Sequence, residues 1–572
     1  MLTTNFQKLM GLLLLVGGIA LLALAAKSAS AATLTVDDDG NAEYTKIQDA
    51  IDNATEGDTI RVWAGTYKEH LVVDKSINLV GNGSELVTID GSESGDVVQI
   101  TADWVNMSGF TVTESGGTWE NQKAGIAIQN DRNHIQISEN TLLNNYNGIY
   151  FYLCKYITIS HNAFINNLGG IYHGIYPGQS FIKHLRGYNM ISNNICLNNS
   201  VGIYIERSYW LTLENNTCSN NNGAGIYLSG SGSNTLTNNT CNLNNGTGIV
   251  LWSSSNCTIT KNTCSSNNDN GIYLNNTCSE NTLTNNICSN NNGTGIKLHS
   301  SSITEWDELQ DPSTYNTIAN NTCCSNNENG IYLNMSDYLE FSSSNTISNN
   351  TCSNNSICGI VLIGSGSSIS NNTCSNNGCG IQLSSSQFSD SNNIVSNNTC
   401  SNNSFGIILS GNNNIVSNNI CNSNNEVGIS IVYADNNAIT YNTFSRNNGG
   451  IILGRYSQYN TAHYNNIFDN IEYGINATGN DNYTIDATLN WWGDNSGPYH
   501  PKNNTNGKGN NVTDHVEFEP WIDENGNLQN LKEDGDEDNE GFIPGFGAAA
   551  VVGAVVIYCV ITPTFKKRKK ED

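Results

Sequence analysis

The sequence predicts an all-β chain wound as a right-handed parallel β-helix, a solenoid of about 22–24 residues per coil. Three observations carry that prediction. The stretch NNTCSNNNGAGIYL at 215–228 returns in altered form from Asn238, Asn262, Asn285 and Asn371. Gly-Ile pairs begin at Gly125, Gly148, Gly170, Gly202, Gly225, Gly248, Gly271, Gly295, Gly330, Gly359, Gly380, Gly406, Gly428, Gly450 and Gly474, mostly one period apart. Within a period, Ile226-Tyr227-Leu228 alternates as a half-buried strand must, Thr235-Leu236-Thr237 sets one aliphatic between two small polar residues, and a cysteine marks a third inward point after an Asn-Asn turn. Three short strands and three turns fill one coil, each strand pairing with its equivalent in the next. A leucine-rich repeat has a similar period, but the chain lacks its Leu spacing and its helical segment. The hand follows from the preference of parallel crossovers.

Composition agrees. Only 13% of the 572 residues are charged, and Asn, Ser, Thr and 54 Gly stand where Lys and Glu usually do, which favours turns and strands over helices. Length alone argues for several domains, but stacked repeats form one continuous body. The formal charge of −27 argues against a nucleic-acid partner, which needs a basic stripe.

Taken in order, Lys8, the apolar run 9–26 and Ala29-Ser30-Ala31 read as a signal peptide over residues 1–31, with an uncleaved anchor as the alternative because the run is long. Residues 32–124 form an N-terminal cap and the first coils: Ile47, Ala50, Ile51 and Ala54 lie at helical spacing within 44–54, and short strands follow at 59–63, 70–73, 77–80, 87–89, 97–100 and 110–112. The repeats run over 125–489. Cys196, Cys218, Cys241, Cys264, Cys288, Cys323, Cys352, Cys374, Cys400 and Cys421 share one repeat position, which flanking coils fill with Leu142, Phe164, Phe444 and Phe468. Interchange with Leu and Phe marks an inward packing site rather than a disulfide framework. The Asn pairs suit left-handed turns and amide ladders from coil to coil. Many are N-x-S/T sequons, among them Asn215, Asn238, Asn320, Asn371 and Asn397. A ladder amide hydrogen-bonded inward cannot carry a glycan, so modification is expected at loop sequons such as Asn482 and Asn511. Residues 490–522, with NWWGDNSGP and EPWI, read as a C-terminal cap, 523–543 as an acidic linker, and 545–562 as a membrane helix followed by the basic cluster 566–570.

The entry segment IQDAIDNATEGDTIRVWAGTY at 47–67, INLVG at 77–81, the repeated N-x-C/F-x-x-N-x-x-G-I coils and the closing NWWGDNSGP at 490–498 resemble the NosD and carbohydrate-binding/sugar-hydrolase class of right-handed β-helix proteins. The resemblance covers about residues 33–522 and implies the fold more strongly than an activity. Pro544-Gly545-Phe546, preceding the apolar span, resembles an archaeal PGF-type sorting signal over 544–572. That resemblance implies an archaeosortase-type processing partner, tail removal and lipid attachment, with the β-helix outside the cell; an ordinary retained membrane helix is the alternative.

Cleavage of a glycosidic bond by general acid and base needs two carboxylates flanking it. The residue after each Gly-Ile, the outward one, is never Asp or Glu. It is often tyrosine: Tyr150, Tyr172, Tyr204, Tyr227 and Tyr273 form a candidate sugar-binding ladder, or a stack that merely stabilises the sheet. Insertions after the same strand supply the other candidates. The segments 301–315 and 334–344, in successive coils, carry Trp306, Asp307, Glu308, Asp311, Asp337, Tyr338 and Glu340. The segment 173–188 carries His173, Tyr176, Lys183, His184 and Arg186, too few fixed ligands for a metal. Asp534, Asp536 and Asp538 alternate like a calcium loop but lack its glycine and closing Glu. No cofactor or metal is assigned. The sequence reads as an exported, membrane-anchored surface protein, structural or binding an envelope glycan. A polysaccharide hydrolase or lyase and a NosD-like copper-maturation factor are the alternatives.

Overall fold

The computed structural model describes residues 31–530, apart from 119–120, 175–184, 301–312, 336–343, 385–390 and 480–482. The signal segment, most of the acidic linker, and the tail with Pro544, Gly545 and Phe546 therefore lie outside the described residues. Among those described, no helix is long and apolar enough to cross a membrane.

The chain winds as a three-sided parallel solenoid. One side is the Gly-Ile sheet, stacked in register from Leu71–Val73 to Tyr473–Asn476. A second carries the Thr/Ser strands such as Thr235–Thr237. The third carries the cysteine strands; it is continuous at both ends and narrows to single bridges between Thr217 and Thr322. Ile226, Leu228, Leu236 and Cys241 all face the interior with no exposed surface. Each such Ile or Leu contributes about 1.5–3 kcal/mol by leaving water. All ten repeat cysteines are buried free thiols, and the thiols of Cys400 and Cys421 are raised well above the ordinary range, first by the hydrogen bond to the preceding cysteine of the column and then by burial. One register expectation is corrected: Ile467, not Phe468, pairs with Phe444 in that column. Phe468 stands one residue on, pointing the other way along the alternating strand, and is half-buried.

Only one short helix, Ile47–Asn53, is present among the described residues. It buries Ile47, Ala50 and Ile51 against the first strands. Its open end is satisfied by Glu69, whose carboxylate accepts the N–H groups of Ile47 and Gln48 at 2.9 and 3.0 Å. At the other end, the aromatic closing segment buries Trp492 completely.

The corners are built from asparagine, with the two residues of each pair doing different work. The first takes the left-handed conformation, as Asn215 does at φ 56°, and faces solvent. The second, Asn216, is buried and joins a ladder. Each side-chain Nδ2 donates to the Oδ1 of the Asn one coil along, at 3.0–3.2 Å, from Asn140 through Asn216, Asn286 and Asn398 to Asn490. A second ladder runs from Asn167 through Asn221 and Asn355 to Asn510, joined at its start by the backbone N–H of Asn145. Every hydrogen-bonding atom is used. Asn286 Oδ1 accepts both the backbone N–H and the Nδ2 of Asn262, at 2.9 and 3.1 Å, while its own Nδ2 donates to Ile259 O and Asn321 Oδ1.

The repeated glycine has a steric cause. A Cβ at Gly271 would lie 2.6 Å from the carbonyl oxygen of Gly295, and one at Gly380 would lie 2.4 Å from that of Gly406. Coils can stack at strand spacing only where that atom is missing.

His173 was expected in an insertion, but it is the last residue of the strand Gly169–His173. It is buried, packs edge-on against Phe151 at 4.7 Å, and sets Nδ1 3.1 Å from Glu206 O. Burial lowers its pKa to about 4.

Two outcomes follow. Asn286→Ala orphans the buried N–H of Asn262, which costs about 3 kcal/mol and should appear as a lower urea midpoint. His173 stays neutral in the native state while the unfolded chain takes up a proton below about pH 6.5, so stability should fall by about 3 kcal/mol as pH drops from 6.5 towards 4. Urea melts of His173→Phe across that range should show a flatter dependence than the parent.

Candidate functional site

The outward face of the Gly-Ile sheet is where the sequence-predicted tyrosines meet. Register places Tyr150, Tyr172, Tyr204 and Tyr227 on successive coils. Their rings stack with centroids 5.8, 4.8 and 5.3 Å apart. The inner rings cover one another's faces, so this row offers edges rather than open platforms. Tyr150 is buried, packs with Ala127 and Tyr152, and donates its hydroxyl to Gly174 O at 2.8 Å. Burial raises the pKa of Tyr204 to about 12, with Glu206 adding to the shift.

Val250 interrupts the row, and Tyr273 resumes it. The next residue in register is Lys297, followed by Tyr332. The Lys297 ammonium lies 5.6 Å from the Tyr273 ring centroid and 6.0 Å from that of Tyr332, held between two π faces. Around them opens a cleft of about 420 Å³, lined also by His299, Glu328 and Asn334. Burial and the neighbouring Lys297 lower the pKa of His299, so its imidazole is neutral at neutral pH. Glu328 Oε2 accepts a hydrogen bond from Thr294 Oγ1 at 2.8 Å. A clamped cation, a neutral imidazole and a carboxylate thus share one polar cleft.

The strands Ile296–His299 and Ile331–Asn334, which form the floor, are the ones that lead into segments 301–312 and 336–343. Trp306, Asp307, Glu308, Asp311, Asp337, Tyr338 and Glu340 lie in those segments and outside the described residues. The insertions start beside the cleft, which is what ties the two together.

A further aromatic row was not anticipated. At one corner Trp104, His134, Tyr156, Tyr188 and Trp210 occupy equivalent left-handed turn positions, with φ between 48° and 59°. Their rings stack at 3.8, 4.9, 6.0 and 6.1 Å. Trp104, Tyr156 and Tyr188 are 60%, 49% and 50% exposed. The signal was present in the sequence: each sits immediately before the residue that precedes a strand, at the repeat interval.

Several comparisons bear on this arrangement. The family model described as periplasmic copper-binding protein (NosD) matches residues 51–187. The described residues do not suit copper. Among the described residues, the only close trio of carboxylate, His or Cys ligands is Asp37, Asp38 and Asp39, all hard oxygen donors, and every described cysteine except Cys324 is buried. A 103-residue stretch is 37% identical to a cell surface glycoprotein of Methanothermus fervidus, spanning 18% of this chain and 16% of that protein. Similar solved structures include the A-module of Azotobacter vinelandii mannuronan C-5 epimerase AlgE4, at 18% identity and TM-score 0.41 over 60% of this chain and 94% of that one. Another is the PL6 family alginate lyase AlyGC, at 10% identity and TM-score 0.35 over 86% and 89%. At those scores neither carries an argument about chemistry. The model described as right handed beta helix region matches residues 180–309, 308–389 and 338–489, more than half of the chain, and the parallel three-sided winding agrees with it: this chain belongs to the right-handed β-helix family.

Proposed function

We propose that the protein is a cell-surface β-helix that binds an acidic envelope polysaccharide along the outward face of the Gly-Ile sheet. The observation that carries this reading is Lys297, clamped between Tyr273 and Tyr332 in a polar cleft. A ring-held ammonium is positioned for a carboxylate or sulfate on a sugar, and tyrosine edges and asparagines supply hydrogen bonds to hydroxyls. The signal-like segment 1–31 supports export, and the PGF-type tail supports surface anchoring with processing by an archaeosortase-type enzyme. A described sheet face with no outward Asp or Glu beside Lys297 other than Glu328 favours binding over glycoside cleavage, which needs paired carboxylates.

A second reading, a polysaccharide-modifying enzyme, is favoured by His299. Its neutral imidazole beside Lys297 and Glu328 can take up or deliver a proton at neutral pH. Asp307 and Asp337 in the adjoining segments would supply further acids.

Titration calorimetry with uronate-bearing and neutral polysaccharides tests the proposal. The acidic polymer should bind, Lys297→Ala should weaken it about tenfold, a loss of about 1.4 kcal/mol, and Lys297→Arg should restore most of it. Equal binding of neutral polymers, or an unchanged affinity in Lys297→Ala, would overturn the assignment of Lys297. Release of reducing or unsaturated ends, abolished in His299→Ala with binding retained, would establish the enzymatic reading instead.

A further inference from the structure

The split within each Asn pair bears directly on glycosylation. In Asn215-Asn216-Thr217 the sequon residue is Asn215, the exposed left-handed one, and the ladder residue Asn216 is only the middle position. The expectation that inward ladder amides silence the repeat sequons therefore fails, because the two duties fall on adjacent residues. The same arrangement holds at Asn238, Asn320, Asn349, Asn371 and Asn397, all exposed with φ between 55° and 58°. These six lie along one edge of the cysteine side. Asn198, Asn354 and Asn402, each two residues before a serine, lie along its other edge, exposed with φ of 56–57°.

We infer that these two edges carry the protein's N-linked glycans, in alternating rather than full occupancy. The inference rests on the surface location proposed above. In the transfer, Asn Nδ2 forms a C–N bond to the anomeric carbon of a lipid phosphate-linked sugar. The anomeric C–O bond breaks, the phosphate leaves with the electron pair, and the amide proton passes to a base on the transferase. The left-handed turn leaves the side chain exposed, and the ladder residue beside it fixes the backbone. Successive coils are only about 4.8 Å apart, too close for two bulky saccharides side by side. Asn238 Nδ2 already donates to Asn215 Oδ1 at 2.6 Å, so the two compete for the same space. Asn320, Asn349, Asn371 and Asn397 occupy four successive coils. One glycan on Asn215 or Asn238, and two at non-adjacent positions among these four, is the limit for that edge. Asn198, Asn354 and Asn402 have no sequon on the neighbouring coils of their edge and escape the restriction. Glycans placed there flank the cysteine side, and one on Asn354 stands three residues from Ile357, which lines the Lys297 cleft.

The test is glycopeptide mass spectrometry on protein isolated from its own envelope fraction, digested with a non-specific protease because Lys and Arg are sparse through the repeats. Modified peptides should contain Asn215 or Asn238 but never both, and Asn198, Asn354 and Asn402 should be independently filled. Thr373→Val, which removes the Asn371 sequon without touching its turn, should raise occupancy at Asn349 and Asn397. Doubly glycosylated neighbours would overturn the alternation. Unmodified repeat sequons in a protein found at the surface would overturn the inference and leave the location standing, whereas recovery of the protein only from the cytosol would sink both.

Discussion

A single interaction, the amide-to-amide hydrogen bond between equivalent asparagines one coil apart, sets the terms for the rest of this structure. Strand pairing by itself tolerates slippage, since short Thr-Leu-Thr and Thr-Cys-Ser strands are nearly alike. A buried asparagine has no such freedom. It must find two donors for its oxygen and two acceptors for its nitrogen inside the coil, and only the in-register neighbour supplies them. The ladders thereby fix register at two corners, hold the exposed Asn in its left-handed turn, and bring the glycines into a contact that no side chain could share.

That rigidity frees the surface. Outward positions contribute little to the fold, so one side can stack tyrosines and then trade a ring for Lys297 without disturbing the coil beneath. Insertions leave the solenoid at the ends of the same strands, so whatever they carry begins beside the cleft. The corner aromatics from Trp104 to Trp210 show the same economy, since a left-handed turn position projects any ring it is given.

Much of this was legible in the residues. Gly-Ile spacing gives the coil count through the repeats, and the exchange of cysteine with Leu142 and Phe164 marks an interior column. What escaped was of two physical kinds. Offsets of one residue escaped because alternation repeats every second residue and composition cannot choose between Ile467 and Phe468, or between the two members of an Asn pair. His173 was misplaced for a related reason, as the end of a strand and the start of an insertion share the same polar look. Relations between coils escaped because they depend on neighbours about 22 or more residues away: Lys297 looks like an isolated outward residue until Tyr273 and Tyr332 close on it.

The ladders also have a direction. Nδ2 hydrogens pass to the next coil from Asn140, whose Oδ1 accepts the Phe110 N–H, up to Asn490, and from Asn167 up to Asn510, so the side-chain dipoles add along the axis. The two ends of each column are closed differently: Asn140 Oδ1 takes the Phe110 N–H, whereas the last amides turn Nδ2 to backbone carbonyls, Asn490 to Ala462 and Ala487 and Asn510 to Asn470. A coil can be gained or lost in the middle at nearly constant cost, whereas a column reversed end to end would set donor against donor or acceptor against acceptor.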